Sequence, residues 1–243
     1  MSRSLAIVAL LALAMAGCGS ADAGDSGEIT VYAAASLTES FTELGEQFEA
    51  KEGTKVTFNF GGSSALAKQI VEGAPADVFA AASPTNMDQV SAVEPTTFAR
   101  NKLMIAVPRG NPGDVTGLAD FADDGRTIAL CAEEVPCGAA ATKAFGAAGL
   151  TPRPDTLERD VKAVLTKVRL GEVDAALVYR TDVLAAGDEV EGIEFPEADE
   201  AVNEYPIAML EDAPNPESAQ RFLDFVLSGE GEAVLTKAGF EKP

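Results

Sequence analysis

The chain has 243 residues, 39 of them acidic and 18 basic, for a formal net charge of −21. That balance excludes a nucleic-acid binder, which needs a basic face. The absence of histidine removes the commonest general base, the Ser-His-Asp triad and most zinc sites. No serine sits in a Gly-x-Ser-x-Gly elbow, so no enzyme is expected. The acidity does not exclude an anionic solute, because a long-range field is screened over roughly 8–10 Å at physiological salt and local donors in a cleft can win. Its plainest role is to keep the protein soluble.

In chain order, Arg3 is followed by an almost purely apolar run from Leu5 to Ala16. About twelve residues make a signal-peptide core, and a membrane span needs about twenty. The run ends in Met15-Ala16-Gly17-Cys18, which resembles a lipoprotein signal box in which Cys18 is diacylated and becomes the new N-terminus. Residues 1–17 therefore read as a leader. Residues 18–27, of Gly, Ser, Ala and Asp after Cys18, read as a flexible tether. An extracytoplasmic protein anchored to the cell membrane through Cys18 is expected.

Beyond the tether, strands and helices alternate. Ile29–Ala34 is a short run of β-formers, and Leu37, Phe41, Leu44 and Phe48 recur at helical spacing up to Gly53. Val56, Phe58 and Phe60 alternate as in a strand, and Leu66, Ile70 and Val71 mark a helix closed by Gly73. Residues 77–82 form a third strand and 84–90 a third helix. Further on, 103–107, 127–130 and 175–179 read as strands. Residues 138–148, 161–170, 218–227 and 230–238 read as helices. Apolar strands alternating with crossover helices predict an α/β fold with mainly parallel sheets covered on both faces. The turn cluster at 108–113 is a candidate boundary. Cys131 and Cys137, six positions apart in an exported chain, are candidates for a disulfide-closed loop where geometry allows.

Seven segments carry a resemblance in register. They are Ala33-Ala34-Ala35-Ser36-Leu37-Thr38, Gly61-Gly62-Ser63-Ser64 through Ile70, and Gly73-Ala74-Pro75-Ala76-Asp77 through Ala82. Glu134-Val135-Pro136-Cys137-Gly138, Asp160-Val161-Lys162, Val178-Tyr179-Arg180-Thr181-Asp182 and Glu204-Tyr205-Pro206-Ile207 follow. Together they resemble the molybdate-binding proteins of the type II periplasmic binding-protein superfamily. The resemblance implies two α/β lobes, 28–105 plus 205–243 against 106–204, with an oxyanion held in the interlobe cleft. It implies the solute-binding component of an ABC importer, delivering molybdate or tungstate to a membrane permease, with no cofactor and no bound metal cation. A monomer is expected. A sulfate, phosphate or other oxyanion binder of the same fold is the alternative.

Carried over by position, Ser36 and Ser63 would donate hydroxyl and backbone hydrogens, Cys137 and Val161 their backbone N–H, and Tyr179 its hydroxyl. Where this chain has Cys137 the family commonly has a small residue such as alanine. The same positions make physical sense. A deprotonated oxyanion offers only acceptors and must be ringed by donors, and helix N-termini supply unpaired N–H groups with about half a positive charge. Ser36 has Glu39 three residues on, a capping-box pattern. Ser63 precedes a helix after two glycines, Cys137 follows Pro136, Val161 follows Asp160, and Tyr179 closes a strand.

Overall fold

The computed structural model describes residues 27–243. The leader, Cys18 and nearly all of the tether lie outside the described residues.

Within these, the first half runs β1 (Glu28–Ala34), a 3₁₀ turn (Ala35–Leu37), α1 (Thr38–Glu52), β2 (Lys55–Gly61), α2 (Ser63–Val71), β3 (Val78–Ala80), α3 (Pro84–Met87) and β4 (Ala92–Asn101). Next come β5 (Leu103–Pro108), β6 (Ile128–Cys131), α4 (Pro136–Ala148), β7 (Thr156–Glu158), α5 (Val161–Arg169), β8 (Ala175–Tyr179), α6 (Arg180–Ala186) and β9 (Val190–Ile193). The chain closes with β10 (Asn203–Leu210), α7 (Pro216–Val226) and α8 (Gly229–Lys237).

These strands form two five-stranded sheets of the same plan, β2-β1-β3-β10-β4 and β7-β6-β8-β5-β9. In each, the first three strands are parallel and the last two pair antiparallel. The sheets are thus mixed, where sequence predicts mainly parallel ones. The reason lies in connection: parallel neighbours need a crossover helix, whereas β4 passes to β5 through Lys102 alone and β10 simply returns to the first sheet. The expected boundary at 105/106 would cut β5, and that at 204/205 would cut β10. The 108–113 cluster is a surface turn inside the second half, with Gly110 and Asn111 at positive φ. The chain leaves the first sheet at Lys102 and returns to it after the 3₁₀ helix Pro196–Ala201, through Val202.

Each sheet has its own core. Under the first, Phe41 of α1 meets Phe58, Phe98 and Phe222 with ring centroids 6.2, 5.7 and 6.3 Å away. Gly45, one turn on, is small for a reason: a Cβ there would stand 2.6 Å from the Phe58 ring. The second core gathers Ile105, Phe121, Ile128, Val164, Val168 and Leu177, all buried. Ala35 of the first half also packs into that second cluster, so the two halves are in contact where β1 ends. Truncating a core ring that fills such a space costs about 3–5 kcal/mol. Phe41→Ala is expected to lower unfolding free energy by that amount, read from denaturant melts; a change under about 1 kcal/mol would mean the aromatic cluster does not hold the first half together.

Candidate functional site

The parallel strands of both sheets end on the same side, and each feeds a helix or a 3₁₀ turn. In open α/β sheets ligands bind at this carboxyl edge. Ser36 follows β1, Ser63 follows β2, Cys137 follows β6, Val161 follows β7 and Tyr179 ends β8. All five line one cavity of about 20 Å³ between the sheets, with small neighbours Ala34, Ala35, Gly61, Gly62 and Ala82. Pockets for drug-sized ligands run roughly 300–1,000 Å³. This one suits a single small solute.

Several hydroxyls in or beside it have a proton that the protein's own bonds do not fix. Ser63, the first residue of α2, is buried, and its Oγ accepts the Ala82 N–H at 3.0 Å. Its own proton must go elsewhere. Ser36 Oγ and Tyr205 Oη lie 2.9 Å apart, so two hydroxyls share one bond and one proton is left over. The Tyr179 hydroxyl is buried with no hydrogen-bond partner, its ring packed edge-on against Tyr205 at 6.1 Å. Burial pushes the Tyr179 phenol well above its ordinary pKa, aided by Tyr205 and Asp182, and burial raises Tyr205 likewise. Both phenols stay protonated donors.

The backbone donors come from two helix starts. Cys137 and Val161 stand in the first turns of α4 and α5, whose N–H groups have no intrahelical partner. The Asp160 side chain caps α5 by accepting the Ala163 N–H at 2.9 Å. Cys137 is disulfide-bonded to Cys131, so it offers the cavity no free thiol. The loop between them is tight, since a Cβ on Gly138 would meet the Ala132 carbonyl oxygen at 1.9 Å.

Three features differ from the sequence reading. The Ser36 capping box does not form: Leu37 is the N-cap of α1 and makes no side-chain bond, because Ser36 is held in the 3₁₀ turn by Tyr205. Tyr205 was visible only as part of a motif, with nothing to tie it to Ser36 169 positions earlier. Asp160 also lines the cavity. One of its oxygens is spent on the cap and the other lies 3.8 Å from Arg159 Nε.

A wider groove of about 890 Å³ adjoins this cavity, sharing Val135 and Pro136, and is lined by Arg100, Lys102 and Lys143 against Glu133, Glu134 and Glu204 among others. Its charges are partly paired already, Arg100 with Glu204 and Lys102 with Asp199. Donors from both halves converge in the small cavity instead, which makes it the candidate site. Among the described residues no group of three or more His, Cys, Asp or Glu could hold a metal ion.

Residues 29–241 match the model of the bacterial extracellular solute-binding proteins. The chain belongs to that family. Within it, the molybdate-binding protein ModA of Mycobacterium tuberculosis is 39% identical over 98% of this chain and 96% of its own length. The ModA of Escherichia coli is 31% identical over 94% of each. Among solved structures, the periplasmic molybdate-binding protein of Azotobacter vinelandii has a TM-score of 0.79 at 21% identity, covering 88% of this chain and 99% of its own. The sulfate-binding protein SubI of M. tuberculosis has a TM-score of 0.76 at 15% identity, covering 88% and 86%. At such identities the structures share the fold.

In this solute-binding protein the two halves meet backbone to backbone beside the cavity. A Cβ on Gly62 would stand 2.4 Å from the Arg159 carbonyl oxygen across the cleft. Gly62 itself has φ −62° and ψ 129°, which any residue adopts. Gly62→Ala is therefore expected to leave stability within about 1 kcal/mol of the parent, or slightly above it, while holding the halves apart. Small-angle scattering would register the larger radius of gyration; an unchanged radius would mean the contact does not limit closure.

Proposed function

We propose that this protein captures molybdate, or its near twin tungstate, between two lobes of roughly 28–102 plus 203–243 and 103–202. It then delivers the anion to the permease of an ABC importer. In this reading it acts as a monomer outside the cytoplasm, anchored to the membrane by a lipid on Cys18. The observation that carries the site is the buried, unpartnered Tyr179 hydroxyl in a small cavity where Ser36, Ser63 and the first turns of α4 and α5 also present hydrogens. Near-full-length similarity to proteins named for molybdate supports the cargo.

The chemistry follows from the donors. Neutral O–H and N–H groups satisfy an anion that carries no proton, and they do so without a full positive charge that would hold every anion. A protonated phosphate needs an acceptor, and the one carboxylate in the lining, Asp160, has one oxygen committed to the cap of α5 and only the other left over. Sulfate needs none, so only size excludes it.

Hydrogen bonds to a charged group are worth about 1.5–3 kcal/mol, roughly a 10- to 150-fold change in affinity. Tyr179→Phe and Ser63→Ala are both expected to weaken molybdate binding by that much in calorimetric titration. They should differ in the ligand-free protein. Tyr179→Phe removes a hydroxyl that bonds nothing and should leave stability level or higher. Ser63→Ala strands the Ala82 N–H and should cost about 1–3 kcal/mol. Wild-type affinity in either variant would remove that residue from the site. Competition by sulfate at concentrations comparable to molybdate would overturn the cargo, and competition by phosphate would name Asp160 as its acceptor.

A further inference from the structure

Lys162 lies at the start of α5 and reaches across the cleft. Its Nζ stands 2.8 and 2.7 Å from the two carboxylate oxygens of Glu39 in α1. On its own side it stands 2.9 Å from Oδ1 of Asp182, a fully buried carboxylate whose Oδ2 accepts the Tyr179 N–H at 3.0 Å. The spacing along the chain is as informative as the distances. Glu39 follows Ser36 by three residues, Lys162 follows Val161 by one, and Asp182 follows Tyr179 by three. Each member of the triad is therefore tied through a few backbone bonds to one of the donor positions, two from the second half and one from the first.

Two carboxylates around one ammonium cannot attract an oxyanion, so the triad is not an anion lure. It holds positions. Burial works against the charge on Lys162, but Asp182 and Glu39 more than offset it and raise its pKa, so the ammonium stays charged. Inside the second half the Lys162–Asp182 contact persists whatever the halves do. The Lys162–Glu39 contact instead spans α1 and α5, joining the Ser36 segment to those of Val161 and Tyr179.

We infer that Glu39, Lys162 and Asp182 form an interlobe latch, in which Glu39 completes a preformed Lys162–Asp182 pair on closure and sets the donor segments around the solute. The inference rests on the cavity being the solute site, and its test does not depend on which solute enters.

The test is hydrogen exchange by mass spectrometry on the full chain, comparing wild type with Glu39→Gln and with Glu43→Gln. Glu43 pairs with Lys237 wholly inside the first half and serves as the control. Without added anion, Glu39→Gln should speed exchange about three- to tenfold in peptides covering 61–63 and 159–162, the scale for one partly buried charged pair, because exchange there follows the opening equilibrium. Peptides from β1 should not change, and Glu43→Gln should behave as wild type. Raising sodium chloride should speed the same peptides in wild type and leave Glu39→Gln flat. Equal exchange in wild type and Glu39→Gln, or equal acceleration by Glu43→Gln, overturns the latch. A molybdate arm separates the two readings. Should molybdate fail to slow exchange in wild type, the cargo proposal falls while the anion-free comparison still decides the latch. Should it protect wild type and Glu39→Gln at the same concentration, the latch plays no part in capture and is overturned.

Discussion

Tyr179 ends β8 with its phenol buried and with no protein group in hydrogen-bonding geometry to its hydroxyl. The surrounding structure fixes where that hydroxyl lies. Its backbone is fixed by the Asp182 carboxylate, and its ring by Tyr205, which also engages Ser36. Tyr205 in turn packs against Phe98 and Phe240. The hydroxyl pointing at the cavity is thus anchored to both cores. Once that position is fixed, the other proposed donors have to arrive around it.

They arrive by topology. Three parallel strands per sheet put the starts of the 3₁₀ turn, α2, α4, α5 and α6 on one edge, and the two antiparallel strands of each sheet carry the chain across to the other. Beyond the hydroxyls, the site therefore needs no unusual side chains, only helix starts whose N–H groups are left unpaired. That arrangement also reconciles a net charge of −21 with an anionic solute. The exposed acids are screened within roughly 10 Å, while the donors act at contact. The two acids nearest the site are engaged, Asp182 with Lys162 and the Tyr179 N–H and Asp160 with the Ala163 N–H.

Much of this could be read from the residues. The apolar runs of β1, β5, β6 and β8 and the helical spacing of α1, α5 and α7 follow simple periodicities, whereas the site segments were legible only through their resemblance to a known family, each being too rich in common small residues to stand out alone. What escaped has physical causes. β4 carries Glu94, Pro95 and two threonines and is exposed over its first half, so it lacks a strand's alternation. β7 is three residues long. The antiparallel pairing of β10 depends on partners about 100 residues away. The Ser36–Tyr205 bond and the Glu39–Lys162 pair are long-range contacts that no local pattern encodes, and Ser36 followed by Glu39 suggested a capping box because that pattern has a local explanation available.

Selectivity among tetrahedral oxyanions depends on what stops the halves from closing further. A cleft stopped by its solute would shrink around a smaller one, and size would discriminate little. Here the stop is protein against protein. The Gly62 backbone meets the Arg159 carbonyl with no room even for a methyl group, and Ala35 is already packed into the opposite core. The disulfide and the Gly138–Ala132 contact leave the start of α4 little freedom to follow a smaller anion inward. A smaller tetrahedron in that cage must span fixed donor positions with longer bonds. Hydrogen bonds weaken steeply with poor geometry, and each 1.4 kcal/mol lost over the whole set is about a tenfold preference for the larger anion. The discrimination that charge cannot provide would then come from the rigidity of two backbones in contact.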